Sequence, residues 1–511
     1  MANTSANNKR IAKNTLLLYI RMLFIMVVTL FTSRVVLSIL GVEDFGIYNV
    51  VGGVVTMLGV LNGAMSVSTQ RYLTFELGRD NRVRLKQVFS VCLTIFIFLS
   101  IIIVILSETI GLWFLYNKMT IPNDRMTAAI WIFQFSILST VTSLITNPYN
   151  ATIIAHERMG IYAYVGILEV ALKLGVVYLL LILPTDRLIS YGGLIFLSHL
   201  LITVIYIVYC LKHFPETHYS YYWDKPLFRE LTSYSGWNLF GSMSGIVKGQ
   251  GLNILINMFF NPAVNAARGI AYQVNNAVNQ FFTNFFNAVR PQITKYYAQN
   301  EMDNLFKLVF RSSKFSFFLI YVLSLPIIIE TPYIIRLWLG QLPEYVVPFT
   351  RIIVIITAID AMANPLMTCI HATGKIKLYQ SVVGSLIILN VPISYLVLKY
   401  THSSPIIVFE ISLVITIIAL FVRVYLLKKQ IKGFPASMYF KDVIGKSFFV
   451  SALTFLIMYG ISMSLPNNFL RLVVNVVVGI LITLSLFYMV CLNKEEKFLT
   501  INILKKILRR K

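Results

Sequence analysis

Six cations fall inside otherwise apolar stretches of this chain, and four of them, Arg21, Arg34, Lys248 and Arg268, lie in the first, seventh and eighth such stretches. Amides gather around the last two. The segment "NPAVNAARGIAYQVNNAVNQFFTNFFNAVRPQ" (261–292) is long enough to cross a bilayer, yet it is rich in Asn and Gln. At helical spacing Asn265, Arg268, Tyr272, Asn275, Asn276 and Asn279 fall on one face. The preceding segment adds Asn238, Ser242, Gly245, Gly249, Asn253 and Asn257, with Lys248 centrally placed. An Arg in hydrocarbon costs roughly 3 kcal/mol even on lenient scales, so this face must meet protein or water. One or two amides would serve as interhelical hydrogen bonding; six polar positions in line, one of them a guanidinium, suit a wetted wall better. A guanidinium matches phosphate bidentately and an ammonium adds a point charge, so the chemistry suggested is the holding of an anion. Arg34 and Arg21 have an alternative, because each can snorkel to an interface. Glu169 and Lys173, at i and i+4, read as a local ion pair. Asp360 has no partner in its own segment and is a candidate to pair with a cavity cation or carry a coupling proton, as is Glu169.

The elements that must position these groups are membrane helices. The 511 residues are 57% apolar and 13% charged, with mean hydropathy +0.74; soluble domains are about 25% charged. Apolar runs predict fourteen helices at 14–40, 45–72, 87–115, 126–150, 160–183, 188–211, 233–260, 262–290, 312–338, 346–372, 376–399, 405–428, 444–464 and 469–492. With both ends in the cytoplasm, 31 of the 44 Lys and Arg fall in inner segments and seven in outer loops. That bias fixes the orientation and accounts for the net charge of +23 without nucleic acid. The first apolar run is too long for a signal-peptide core and reads as a retained helix. The tail "KKILRRK" suits anionic headgroups. Cys92, Cys210, Cys369 and Cys491 are far apart in apolar settings, which argues against disulfides or metal ligation. The six His show no ligand spacing, and no phosphate-binding G-x-x-x-x-G-K-[ST] loop occurs, so neither a metal centre nor a built-in ATPase is expected.

The chain also repeats itself. "NPYNATIIAHERMGIY" (147–162) and "NPLMTCIHATGKIKLY" (364–379) align Asn147 with Asn364, Pro148 with Pro365, Ala155 with Ala372, Arg158 with Lys375 and Tyr162 with Tyr379. A weaker match relates Asn62 to Asn284 and Gln70 to Gln292. Both offsets span six predicted helices. The expected fold is therefore all-α and polytopic, with two six-helix lobes in parallel repeat and two extra C-terminal helices. The boundaries are 1–215 for the N-lobe, 216–432 for the C-lobe, 433–492 for the last two helices and 493–511 for the basic tail.

Three segments carry a resemblance: "LGVEDFGIYNVVGGVVTMLGVLNGAMSVSTQRYLTFELG" (40–78), "NAARGIAYQVNNAVNQFFTNFFNAVRPQITKYYAQNE" (265–301) and "NPLMTCIHATGK" (364–375). With these the whole chain resembles Wzx-type O-antigen and capsule-repeat flippases of the multidrug/oligosaccharidyl-lipid/polysaccharide (MOP) exporter superfamily, relatives of the MurJ-type lipid II flippases. The resemblance implies a non-enzymatic transporter in the bacterial inner membrane. It implies alternating access and an undecaprenyl-pyrophosphate-linked oligosaccharide as substrate, with membrane lipids, a polysaccharide polymerase and glycosyltransferases as partners. It implies no cofactor beyond a coupling Na⁺ or H⁺. Arg21, Lys248 and Arg268 match the cationic cavity of such relatives in kind and approximate helix. The rival expectations are a MATE-like multidrug exporter coupled to sodium or protons, which would need carboxylates facing its cationic cargo, and a membrane enzyme (a polysaccharide polymerase or ligase, or a lipid-linked sugar transferase), which would place acids, His or Arg on a long outer loop or at the cytoplasmic face.

Overall fold

The computed structural model describes residues 14–26, isolated positions between 28 and 51, and then 59–117, 121–183, 185–260, 262–340 and 342–497. Arg34, the side chain of Asn257 and the tail "KKILRRK" lie outside the described residues. Among the described residues the chain is helical throughout, with no strand. The elements are α1 (Asn14–Met26), α2 (Gly59–Gly78), α3 (Arg82–Asn117), α4 (Asn123–Ala155), α5 (Met159–Ile182), α6 (Arg187–His213) and α7 (Lys225–Phe259). They continue as α8 (Pro262–Ala298), α9 (Met302–Leu339), α10 (Val346–Ala372), α11 (Lys377–Thr401), α12 (Ile407–Gln430), α13 (Ala436–Met463) and α14 (Phe469–Cys491).

Ten of these helices are long and apolar enough to cross a membrane, so the chain is a multi-pass membrane protein. Three more, α2, α7 and α8, have 20, 35 and 37 residues but too many polar groups to meet that measure. Helices α7, α8 and α9 run well past the apolar spans read from the sequence. Their polar ends, such as Lys225–Thr232 and Thr294–Ala298, stay helical where hydropathy alone ends a span.

The packing divides the chain into two compact units. One runs to Ser242 and takes in Asn287–Glu301; the other holds Met243–Phe286 and Met302 onward. In the first, α4 packs on α2, α3 and α6. In the second, α10 packs on α9 and α12, and α13 and α14 pack on α9. Two buried ion pairs fasten α9 to the last hairpin. Lys314 meets Glu496 at 2.6 Å, and Arg471 meets Glu330 at 2.7 Å with Asn475 donating to the same carboxylate at 2.6 Å. Glu330 lies where α9 leaves helical geometry, between Pro326 and Pro332. Proline removes a backbone donor and clashes with the preceding turn, which is why the helix breaks there.

The repeated segments occupy matching positions. α4 ends at Ala155 and α10 at Ala372, the residues that align in sequence. Pro148 and Pro365 both lie inside those helices near their ends. The turns that follow put Glu157 (φ +58°) and Gly374 (φ +78°) at aligned positions in the left-handed region. Around Glu157 the backbone closes as a Schellman motif, with Arg158 N–H donating to Ile153 and Glu157 N–H to Ile154. The ends of α2 and α8 close with the same bonds: Asn81 N–H to Glu76 and Asp80 N–H to Leu77, then Glu301 N–H to Tyr296 and Asn300 N–H to Tyr297. These four turns are where the chain re-enters a helix.

A glutamate is a poor residue for a left-handed position, and its side chain explains its presence. The Glu157 carboxylate is fully buried, accepts from Lys295 Nζ at 2.6 Å and from Gln292 Nε2 at 2.5 Å, and its carbonyl accepts from Asn14. It thus ties the ends of α1 and α8 to the α4–α5 turn. Glu157→Gly relieves about 1 kcal/mol of backbone strain but leaves Lys295 without its partner at a cost on the order of 3 kcal/mol. The variant is therefore expected to lower the thermal midpoint of the detergent-purified protein. Gly374→Ala, which adds strain and removes nothing, is expected to cost about 1 kcal/mol in the same assay.

At the other end of the first unit, Arg125 bridges Asp44 at 2.5 Å and Asp186 at 2.6 Å. Desolvation pushes the Asp186 carboxyl up, but the Ile189 N–H and the Arg125 guanidinium outweigh it and hold the group below the usual carboxylate range. The contribution to stability is therefore in place above a pH of about 4 and is lost as pH falls through the lowered folded value. Asp186→Asn is expected to lower the melting temperature at neutral pH and to remove part of the loss seen on acidification below about pH 4.

Candidate functional site

The second unit holds most of the residues singled out in the sequence. Arg268 reaches from α8 to α7, where Nη2 donates to the Gly249 carbonyl at 2.7 Å and Nη1 to Asn253 Oδ1 at 3.2 Å. Its guanidinium lies over the Tyr272 ring at 4.7 Å. Among the described residues no carboxylate lies within ion-pair distance of it, and its Nε is enclosed without a partner. Gly249 and Asn253 are one turn apart on α7, which is why one fork can use both. Arg268 is thus held in place by neutral acceptors, and its positive charge is not cancelled.

Lys248, also on α7, is half-buried. Its electrostatic surroundings are set by Asp360 on α10 and Arg423 on α12. Asp360 has the partner its own helix could not supply: Arg423 Nη1 donates to Oδ1 at 3.1 Å, while Arg423 Nε donates to Tyr379 Oη at 3.2 Å. Arg423 is buried, whereas the Asp360 side chain is 43% exposed. Arg423 and Tyr379 were not singled out as site residues. Elimination could have found the pair, since Asp360 and Arg423 both lack a partner within their own helices and neither can stay charged alone in an apolar setting.

In the first unit, Arg21 on α1 stacks over Tyr162 of α5 at 4.3 Å and lies flat against Gly166. A Cβ at position 166 would fall 2.1 Å from Arg21 Nε, so only glycine leaves room for this guanidinium. Glu169 and Lys173 form the expected i,i+4 pair at 2.7 Å, and the fields of His199 and Arg21 also act on Glu169. The repeated tyrosine therefore meets a guanidinium in each unit: Tyr162 with Arg21, and Tyr379 with Arg423.

The amides of α8 divide into two sets. Asn275 is buried and accepts from Thr357 Oγ1 of α10 at 2.6 Å, so it bonds helix to helix. Asn265 and Asn279 are half-buried, and Asn276 is exposed. The exposed stripe is Ala266, Gly269, Gln273, Asn276, Gln280 and Thr283, about a quarter-turn around the helix from the face read in the sequence. The rotation has a physical origin. Arg268, Tyr272 and Asn275 are drawn inward by partners on α7 and α10, which turns Gln273 and Gln280 outward. Among the described residues, α8 exposes no large apolar side chain. Elsewhere exposure is apolar, as with Ile101 and Ile105 on α3 or Leu197 and Leu201 on α6. A helix with no greasy face is ill suited to present its open side to acyl chains, so this stripe suits water or protein and not lipid.

No cluster of His, Cys, Asp or Glu among the described residues could hold a metal ion, and all four cysteines are buried and unpaired.

No family model and no curated protein matches the chain. Solved structures do. An outward-facing multidrug resistance MATE family transporter of the MOP superfamily superposes with a TM-score of 0.72 at 13% identity, over 84% of this chain and 97% of that one. A MATE structure in the bent conformation gives 0.72 at 13% identity, over 86% and 97%. A MOP superfamily transporter from Pyrococcus furiosus, described as having a binding pocket of reverse polarity that suggests a different function, gives 0.67 at 12% identity, over 84% and 96%. Two compact helical units, interior cations held by tyrosines and a polar-faced helix are thus set in the fold of the MATE transporters of the MOP superfamily.

Proposed function

We propose that the chain is a flippase that moves an undecaprenyl-pyrophosphate-linked oligosaccharide repeat unit from the cytoplasmic to the outer leaflet of a bacterial inner membrane, for export of a surface polysaccharide such as O-antigen or capsule. The observation that carries this reading is an uncancelled guanidinium, Arg268, on a helix whose own exposed side is polar from Gly269 to Thr283. A diphosphate buried without counter-charge would be prohibitively costly; Arg268 and Lys248 offer such charge in the second unit and Arg21 in the first. Gln273, Asn276 and Gln280 offer the paired donors and acceptors that replace water around sugar hydroxyls. The coincident helix ends of the repeated segments support two six-helix lobes in parallel repeat, the arrangement alternating access needs. Asp360 and Glu169 are the candidates for coupling to Na⁺ or H⁺.

The second reading is a MATE-like exporter of cationic drugs, favoured by the fold and by the half-exposed carboxylate of Asp360. The two separate on charge. A lipophilic cation needs a free carboxylate, and Asp360 is engaged by Arg423.

Arg268→Ala removes a charged donor set worth roughly 1.5–3 kcal/mol, so outward delivery of the lipid-linked repeat unit in membrane vesicles is expected to drop about 10- to 100-fold, with Arg268→Lys in between. Drug resistance is expected to stay unchanged in both; loss of resistance with intact surface glycan would favour the exporter. The two amide sets are expected to behave differently. Asn275→Ala lowers stability by about 1 kcal/mol through its lost bond to Thr357. Asn276→Leu leaves the melting temperature in place but slows transport, measured by thermal shift and vesicle delivery on the same preparations.

A further inference from the structure

Between α6 and α7 the first unit contains a segment that the transport reading does not use. After a 3-10 turn, Pro215–Thr217, the chain runs extended over 219–224 before α7 begins. It is laid along α3. Thr94 Oγ1 lies 3.3 Å from Tyr219 Oη, Ser220 N–H donates to Ser90 Oγ at 3.3 Å, and Arg84 pairs with Asp224 at 3.0 Å. From Thr94 to Arg84 is ten residues of helix, about 15 Å along the α3 axis. Asp224 also accepts from the Leu227 N–H at 3.1 Å and so caps the first turn of α7.

The exposure of this strap alternates with period two, as an extended chain requires. Ser220, Tyr222 and Asp224 are half-buried toward α3. Tyr219, Tyr221 and Trp223 are 47%, 79% and 51% exposed. Three aromatic rings thus stand on one edge at intervals of roughly 7 Å. Both flanking helices expose apolar residues: Ile97, Phe98 and Ile101 on α3, beginning one turn beyond Thr94, and Val204, Val208 and Leu211 on α6, which ends where the strap starts. Lys212, Lys225 and Arg229 are exposed around it. The nearby acids are engaged, Asp224 by Arg84, Glu216 by His156 at 2.5 Å and the exposed Glu230 by the Tyr72 hydroxyl at 2.9 Å.

Rings of this kind, left in water, would forgo the burial of a large apolar area. Tyr and Trp instead settle where an apolar body and a polar tip can both be satisfied, at the boundary of headgroups and acyl chains. Continuity with the lipid-facing surfaces of α3 and α6, together with the surrounding ammonium and guanidinium groups, selects that boundary. We propose that Tyr219–Trp223 is a membrane-interface anchor, its three rings immersed among phospholipid headgroups with Lys212, Lys225 and Arg229 on the phosphates. Through the Asp224 cap the anchor fixes the height at which α7 starts.

Because the four native cysteines are buried, Tyr221→Cys supplies a single reactive thiol for a nitroxide, and Asp303→Cys, exposed in the first turn of α9, is the aqueous control. In vesicles of phosphatidylethanolamine and phosphatidylglycerol, the label at 221 is expected to collide more with oxygen than with a soluble nickel chelate, and the label at 303 the reverse. Quenching of tryptophan emission by lipids brominated near the top of the acyl chain is expected to be smaller in Trp223→Phe than in the native protein, which also holds Trp113, Trp131, Trp237 and Trp338. The fluorescence pair decides the matter alone if the cysteine variant does not fold. Equal nickel access at 221 and 303, or bromolipid quenching that is the same in Trp223→Phe, would overturn the anchor. Protection of the 221 label by soluble maltohexaose, independent of lipid, would overturn it in favour of a sugar-stacking platform.

Discussion

A polar group in hydrocarbon must find a partner or water, and most of this structure answers to that constraint. Each interior charge that can be traced has an arrangement around it. Arg423 has Asp360 and Tyr379, Lys314 has Glu496, Arg471 has Glu330, and Glu157 has Lys295 and Gln292. Arg268 differs, since a tyrosine ring and neutral acceptors hold it without cancelling its charge, while Arg21 lies over a tyrosine ring within the field of Glu169. The Arg268 site keeps positive potential inside the fold, and it gains meaning from the polar stripe of α8, which suits water or protein and not lipid.

Much of this was legible in the sequence, for reasons that can be named. Hydropathy finds α3, α5, α6 and α12 because their cost in water is summed over many residues and tolerates single exceptions. The aligned ends of α4 and α10 were visible because the two segments repeat in sequence; Asn147-Pro148 and Asn364-Pro365 do not break the helices, which run on to Ala155 and Ala372. The face of α8 was harder. Periodicity gives the angular spread of its amides but not the direction of the core, which is decided by the partners of Arg268 on α7 and of Asn275 on α10. Those partners are distant in sequence and chosen by packing. The Schellman turn at Glu157 was invisible for a related reason. Glutamate carries no propensity for that backbone, and only Lys295 and Gln292, more than a hundred residues away, make it worthwhile.

Fold and cargo separate here. At 12–13% identity the likeness to MATE structures concerns the path of the backbone. One neighbour with the same path is described as having a pocket of reverse polarity. Charge inside such a fold is therefore set by individual side chains such as Arg268 and Arg21, and cargo has to be argued from them.

The two ion pairs that fasten α9 to α14 and to the residues just after it carry opposite signs in order along each partner. Lys314 precedes Glu330 on α9, while Arg471 precedes Glu496 at the far side. An antiparallel hairpin in its native register matches plus with minus at both ends. A hairpin docked the other way round would set lysine against arginine and glutamate against glutamate, and a slide of one turn would strand all four charges. The segment from Arg471 to Glu496 is thus keyed by charge to a single orientation on α9.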